Sequence, residues 1–273
     1  MKSILLLVLG AYVVAAVHSV LAFVNKRRVL QRVSWFAVLI GFALHTIALI
    51  TGWAGQRRFP LFYLPETLSF LAWTLVAAYG LVLYRYRAHA LGSFTLPLVA
   101  GLVLIAIVTG SPLSAAPGTL TGSAGNWIFP FHTTALIFAY ASFFVVFVAS
   151  VMYLLQEREL KLKTFGAIFH RLPPLTTMND IATAAATIGL TLLSLGIVTG
   201  MLWSESRDGK LWHNDPKEIF AGLTWLLYLL LIIYRSSARW GGRNAAWLGV
   251  VGFALVLCTF LGARLMGGYH IFG

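Results

Sequence analysis

Charge is what this chain has least of. Only 10% of its 273 residues are Asp, Glu, Lys or Arg, while 59% are hydrophobic. A soluble domain carries roughly a quarter charged residues, so a water-soluble globule is excluded. Acids are scarcer still, eight against 20 Lys and Arg. Cysteine is down to one, Cys258, inside an apolar run; an intramolecular disulfide and a Cys metal cluster are both excluded. There is no Walker loop, no His-Glu-x-x-His and no repeat of fixed period. Glu205, Asp208, Asp215 and Glu218 lie near one another, but Arg207, Lys210 and Lys217 among them make a charge-balanced loop.

Long apolar runs are what remains. A membrane helix needs about 20 mostly apolar residues, and eight such spans are expected, at 4–24, 34–54, 65–84, 91–110, 128–154, 180–203, 216–235 and 245–266. The fold class is therefore all-α, a polytopic membrane bundle of about eight transmembrane helices forming one membrane domain over 1–273. The first run has only Lys2 before it and the basic "NKRR" after it. It reads as a retained helix and not as a cleaved signal peptide. The net charge of +12 reflects placement more than nucleic-acid binding. Thirteen Lys and Arg follow odd-numbered spans and seven lie on the other side. The positive-inside rule then puts the odd loops in the cytoplasm and both termini outside.

Two connections stand apart. Residues 155–180, "LQERELKLKTFGAIFHRLPPLTTMND", are long and basic, and their first half suits an amphipathic helix on the inner surface. Pro173 and Pro174 would end it, with Asn179 or Asp180 capping the next span. Outside, 111–126 is rich in Gly, Ser and Pro and reads as irregular. In the sixth span Ala185, Gly189, Gly196 and Gly200 recur at roughly helical spacing, which suits close helix packing.

Seven His residues are the main candidates for chemistry. His132, His213 and His270 fall at or beyond outer helix ends. His18 lies towards an inner end, and His89 and His170 in inner loops, where solvated surface roles suffice. His45 falls near the middle of the second span. A ring there needs a partner, whether a neighbouring helix carbonyl or a functional site. Glu66 follows Pro65 at a helix start and complements the positive end of the dipole, a structural role. The outer face gathers Trp53, Phe59, Phe62, Tyr63, Trp127, Phe129, Phe131, Trp203, Trp212, Tyr269 and Phe272. Such rings form an interfacial belt. Beside several His they equally suit a flat, iron-bearing ligand such as haem, for which neutral imidazole is a standard axial ligand.

The stretch "KLWHNDPKEIFAGLTWLLY" is a helix start on physical grounds. Asn214 or Asp215 can cap, Pro216 fits the first turn and Glu218 can close a capping box. Together with "ALHTIAL", "FPLFYLPETLSFLAW", "NWIFPFHTTALIFAYASF", "RLPPLTTMN" and "GIVTGMLW", it resembles the cytochrome c assembly protein family, the tryptophan-rich haem handlers of the CcsA/HemX type. The resemblance runs from about residue 40 to the C-terminus.

It implies haem b as cargo or cofactor, with His132 and His270 ligating its iron. Trp212 and Asp215 would remain from the Trp-rich loop, and His45 would match one of two transmembrane His residues. A multi-pass protein of the bacterial inner (plasma) membrane, surrounded by lipid, is expected. It would be a carrier or assembly factor more than a catalyst, working with a partner protein in cytochrome c maturation or haem synthesis. The family signature reads Trp-Gly-x-x-Trp-x-Trp-Asp. Here Asp208 and Asn214 replace its first and last Trp, and Ile233 replaces the second transmembrane His. The alternative is a membrane regulatory or assembly partner that binds haem weakly or not at all and acts through residues 155–180.

Overall fold

A computed structural model describes residues 2–25, 27–56, 61, 63–110, 127–163, 166, 169–213, 215–236 and 242–262. Among these are eight α-helices and no strand: α1 (Lys2–Asn25), α2 (Arg28–Gln56), α3 (Leu64–Tyr86), α4 (Ala90–Thr109), α5 (Ile128–Leu162), α6 (Leu175–Asp208), α7 (Pro216–Ser236) and α8 (Arg243–Leu257). A π-helical turn, Cys258–Gly262, continues α8. All eight helices are long and apolar enough to cross a membrane. Large apolar side chains such as Leu7, Val108, Leu226 and Val251 stand half exposed or more along them. Surfaces of that kind belong against hydrocarbon, and the chain is a multi-pass membrane protein. The expected irregular stretch 111–126, together with Phe59, Phe62, Asn214, Tyr269, His270 and Phe272, lies outside the described residues.

The chain divides into two compact units, α1–α4 and α5–α8. In the first, small residues let helices meet. A Cβ on Gly41 of α2 would stand 2.7 Å from the Tyr12 ring of α1, and Ser34 donates to the Ala15 carbonyl at 2.9 Å. Helix α3 starts as its sequence suggests. Pro65 sits in the first turn, and the Glu66 carboxylate accepts from the Tyr63 backbone N–H at 3.4 Å. That confirms Glu66 as a helix-start residue. Trp73 of α3 donates its indole N–H to Thr46 of α2 at 2.9 Å and stacks on Phe42.

In the second unit α5 and α6 form the main seam, and the glycine stripe explains it. A Cβ would come within 2.5 Å of the Phe143 ring at Gly189, within 2.5 Å of Leu136 at Gly196, and within 2.6 Å of the His132 ring at Gly200. Each α6 glycine is therefore the floor for one α5 side chain, and the three pairs climb the seam in register.

Helix boundaries differ from the sequence expectation on the side of the long basic connection. The first half of that connection is no separate surface helix; it continues α5 without a break to Leu162. An ion pair one turn long, Lys161 to Glu157 at 2.7 Å, accompanies the extension. The helix stops at Lys163, whose φ of 53° puts it in the left-handed region. The next helix begins five residues earlier than expected, at Leu175, with Pro174 as its extended cap. Asn179 and Asp180 are thus inside the helix and cap nothing. The physical reason is that Pro174 already supplies the extended entry, while Thr176 and Thr177 tolerate helix.

Candidate functional site

The loop between α6 and α7 is held by one carboxylate. Helix α6 ends at Gly209, whose φ of 67° favours glycine and whose N–H returns to the Glu205 carbonyl at 2.9 Å. Helix α7 starts at Pro216. Asp215 is its cap, with Oδ1 accepting from the Lys217 N–H at 3.3 Å. Oε2 of Glu218 accepts from the N–H of Asp215 at 3.2 Å and from that of His213 at 2.9 Å. Cap and box are those expected from Asp-Pro-Lys-Glu. Asp215 is buried, 4% exposed, at the positive end of the α7 dipole.

His213, although in the loop, is largely buried. Its side chain is only 15% exposed, and Nδ1 lies 3.1 Å from the Ser204 hydroxyl of α6. The same nitrogen is 3.8 Å from Oε1 of Glu218. Ser, His and Glu therefore meet at one ring nitrogen. A nucleophile relay needs the acid and the hydroxyl on opposite nitrogens, so this trio ties α6, loop and α7 together and does no hydrolytic chemistry. Trp212 beside it stands 43% exposed.

His132 sits on the first turns of α5, half-buried against α6. Its Nδ1 is 2.6 Å from the Gly196 carbonyl. A carbonyl only accepts, so Nδ1 carries the hydrogen and a neutral ring has its lone pair on Nε2. Gly200 lies flat under the ring, leaving no room for a Cβ. One turn towards the helix ends, Phe129 of α5 meets Trp203 of α6 with ring centres 5.2 Å apart, and Trp127 meets Phe131 edge-on. The result is a His of fixed tautomer one helical turn from two aromatic pairs; an orienting partner on the far ring nitrogen is what an iron-ligating imidazole needs from its surroundings. The acceptor, Gly196, was not legible as such: the glycine stripe signalled only close packing. His270 lies outside the described residues, as does Asn214.

His45, in α2, is wholly buried in the first unit. Both ring nitrogens are engaged: Nε2 lies 2.9 Å from the Ser69 hydroxyl of α3 and Nδ1 3.3 Å from the Tyr12 hydroxyl of α1. Where the sequence left open a helix carbonyl or a functional site, the partners are two hydroxyls, each able to donate or accept, which suits either tautomer. Trp53, two turns further along α2, is 55% exposed. Ile233 on α7, which stands where the resemblance places a second transmembrane His, is 55% exposed and faces outward from its unit.

A helical membrane protein has thus been assembled, with a tautomer-fixed His and neighbouring aromatic pairs at one end of a glycine-lined seam, and an Asp-Pro-Lys-Glu capped turn bearing Trp212. The cytochrome C assembly protein family matches residues 61–270, and the chain belongs to that family. It is 29% identical over 295 residues to "Cytochrome c biogenesis protein CcsA" of Synechococcus sp. (strain JA-2-3B'a(2-13)), covering 87% of this chain and 84% of that protein. The protein of the same name from Guillardia theta is 28% identical over 251 residues, 84% of this chain and 81% of its own. That of Mesostigma viride is 25% identical over 280 residues, 94% and 91%.

Proposed function

We propose that this protein handles haem for cytochrome c maturation in a bacterial inner membrane, holding haem b at the outer face and passing it on with a partner protein. The observation that carries the reading is the 2.6 Å bond from His132 Nδ1–H to the Gly196 carbonyl. It leaves the lone pair of the neutral ring on Nε2, the state in which imidazole takes iron. His270 is proposed as the second axial ligand, and Trp212 as a ring stacking on the macrocycle. Asp215 acts at one remove, by capping the helix that carries the loop.

Bound haem would bring the iron and a flat apolar ring; the chain's own part is to hold, orient and shield it. His132 is oriented by α6, so the ligand is presented without a search over ring rotations. The paired rings of Phe129 and Trp203 offer apolar surface at this end of the seam for a flat ligand to pack on. His45 has a different part. With both nitrogens taken up by hydroxyls and Ile233 outward, the proposed role is a polar pin joining α1, α2 and α3, so that no haem is expected at His45. One membrane domain is proposed; eight spans put both termini on the same side, and the excess of Lys and Arg after odd-numbered spans favours the outside.

The alternative, a membrane assembly partner with little or no haem, draws on the charged extension of α5 to Leu162 as a contact for another protein. A visible spectrum of the detergent-purified protein with pyridine haemochrome quantification separates the two. Near-stoichiometric haem is expected. Its absorption should vanish in His132→Ala and in His270→Ala and persist in His89→Ala. Full haem in both outer variants would overturn the ligand assignment, and a colourless wild type would favour the alternative.

A further inference from the structure

Away from the proposed haem ligands, the other end of the second unit contains a cation that pairs with no anion among the described residues. Arg235 lies in the last turn of α7, half-buried. One terminal nitrogen donates to the Asn179 side-chain oxygen of α6 at 2.7 Å, with the Asn179 carbonyl at 3.5 Å. The other reaches the Ser150 hydroxyl of α5 at 3.4 Å. Every one of these partners is neutral. Its Nε is shut off from solvent and has no hydrogen-bond partner among the described residues.

Two turns back on the same face of α7 is Tyr228, fully buried and stacked on Phe143, with ring centres 3.7 Å apart. Its hydroxyl has no partner either. One turn further, Thr224 is 2% exposed with an unpartnered Oγ1. Three buried side-chain atoms without partners among the described residues thus fall on this one stripe of α7. Helix α8 closes over the group, with Gly249 against the Ser150 hydroxyl and Gly252 against the Tyr228 ring. At its start, Gly242 lies under the Tyr153 hydroxyl.

A dipole cap and an inter-helix staple account for the terminal nitrogens of Arg235. They do not account for a shielded Nε–H and a shielded Tyr O–H, both donors, beside an uncompensated positive charge. Unpartnered buried donors are rare in native structures. A charge among neutral partners in a membrane domain is costly and marks binding paths. A buried water could serve the hydroxyl but would leave the cation uncompensated. An oxyanion answers both, because it supplies acceptor lone pairs and a negative charge, and guanidinium binds carboxylate and phosphate through paired donors.

We propose that Arg235, with Ser150, Asn179 and Tyr228, forms a binding site for the oxyanion head of a membrane-soluble amphiphile at the α7 C-terminal end of this unit. The head is a carboxylate or phosphate, and two sources share that chemistry: an anionic phospholipid, and the propionate side chains of haem. Neither the site nor its charge depends on the His132 reading.

The test uses the detergent-purified full chain and two matched probe pairs. Binding of dioleoyl phosphatidylglycerol is compared with that of dioleoylglycerol, and binding of haem with that of haem dimethyl ester, which lacks the free carboxylates. In at least one pair the oxyanion should bind about tenfold more tightly than its uncharged counterpart. That preference should be lost in Arg235→Gln and weakened in Tyr228→Phe, which keeps the stacked ring. A lipid-only preference assigns the source as lipid; a preference in the haem pair that survives His132→Ala assigns propionate. Arg235→Lys, which keeps charge without the fork, controls for folding and should retain part of the preference. Equal binding within both pairs, or a preference unchanged in Arg235→Gln and Tyr228→Phe, refutes the proposal and leaves the cluster a staple with trapped water.

Discussion

Gly200→Ala is the sharpest perturbation the seam offers, because its first contact is the candidate ligand itself. The new Cβ would stand 2.6 Å from Cε1 of His132 and 2.9 Å from Nδ1. Ordinary contact begins at 3.4 Å, so the ring must retreat by about 0.8 Å, the difference between 3.4 and 2.6. The bond to Gly196 starts at 2.6 Å, and a retreat of that size carries it to or beyond the roughly 3.2 Å end of the useful range. Overpacking costs about 1–3 kcal/mol, offset in part by the roughly 1 kcal/mol that Ala gains over Gly in a helix. The protein should fold with a modestly lower Tm. The loss of an orienting partner behind a metal ligand weakens affinity by about 10–100-fold. Haem titration followed by the Soret band should show that drop, with pyridine haemochrome giving the content as purified. Gly196→Ala meets a flexible Leu136 methyl instead, so its effect on haem should be smaller. Gly222→Ala on α7 meets nothing within 4 Å and should change neither quantity. A folded Gly200→Ala protein with wild-type haem affinity would refute the link between seam packing and ligand geometry.

Three further outcomes are expected. Asp215→Ala removes the α7 cap and should lower stability by about 1 kcal/mol; Glu218→Ala, which frees two backbone N–H groups, should cost at least as much, both read from thermal unfolding. Ser69→Ala leaves a buried His45 nitrogen unmatched and should cost about 1–3 kcal/mol without changing the haem spectrum; a spectrum that changed would return His45 to the cofactor. For topology, in a Cys258→Ser background, a cysteine at position 211 should react with an impermeant thiol reagent in intact cells, while one at position 162 should not. The reverse pattern would invert the assigned orientation.

The helices were legible because hydrocarbon imposes a length and a composition, and both survive in any window of the sequence. The α7 start was legible for a local reason: Asp215, Pro216 and Glu218 interact within four residues, and the structure has those bonds. The α6 start was missed because Asn179 and Asp180 both read as caps, while Pro174, which is the cap in the structure, reads as the end of the preceding segment. The surface helix was missed because a charged stretch looks the same whether it lies flat or prolongs a span, and Glu157 with Lys161 favours helix in both cases. Partners distant in sequence left no mark at all. Tyr12 is 33 residues from His45 and Gly196 is 64 from His132; no pattern in either neighbourhood announces the other. Arg235 was counted as a topology signal, which accounts for its sign but not for its unpartnered Nε.

The group that fixes the His132 tautomer belongs to the main chain of Gly196. A side-chain partner would be deleted by one codon change and would stand out in any alanine scan. A carbonyl is supplied by whatever residue occupies its place, so no single substitution removes it. The ring's protonation pattern is therefore inherited through the path of α6 alongside α5, and drifts only when that path does. Relatives can exchange most side chains around this imidazole and still present the same nitrogen, provided that the residue beneath the ring stays small.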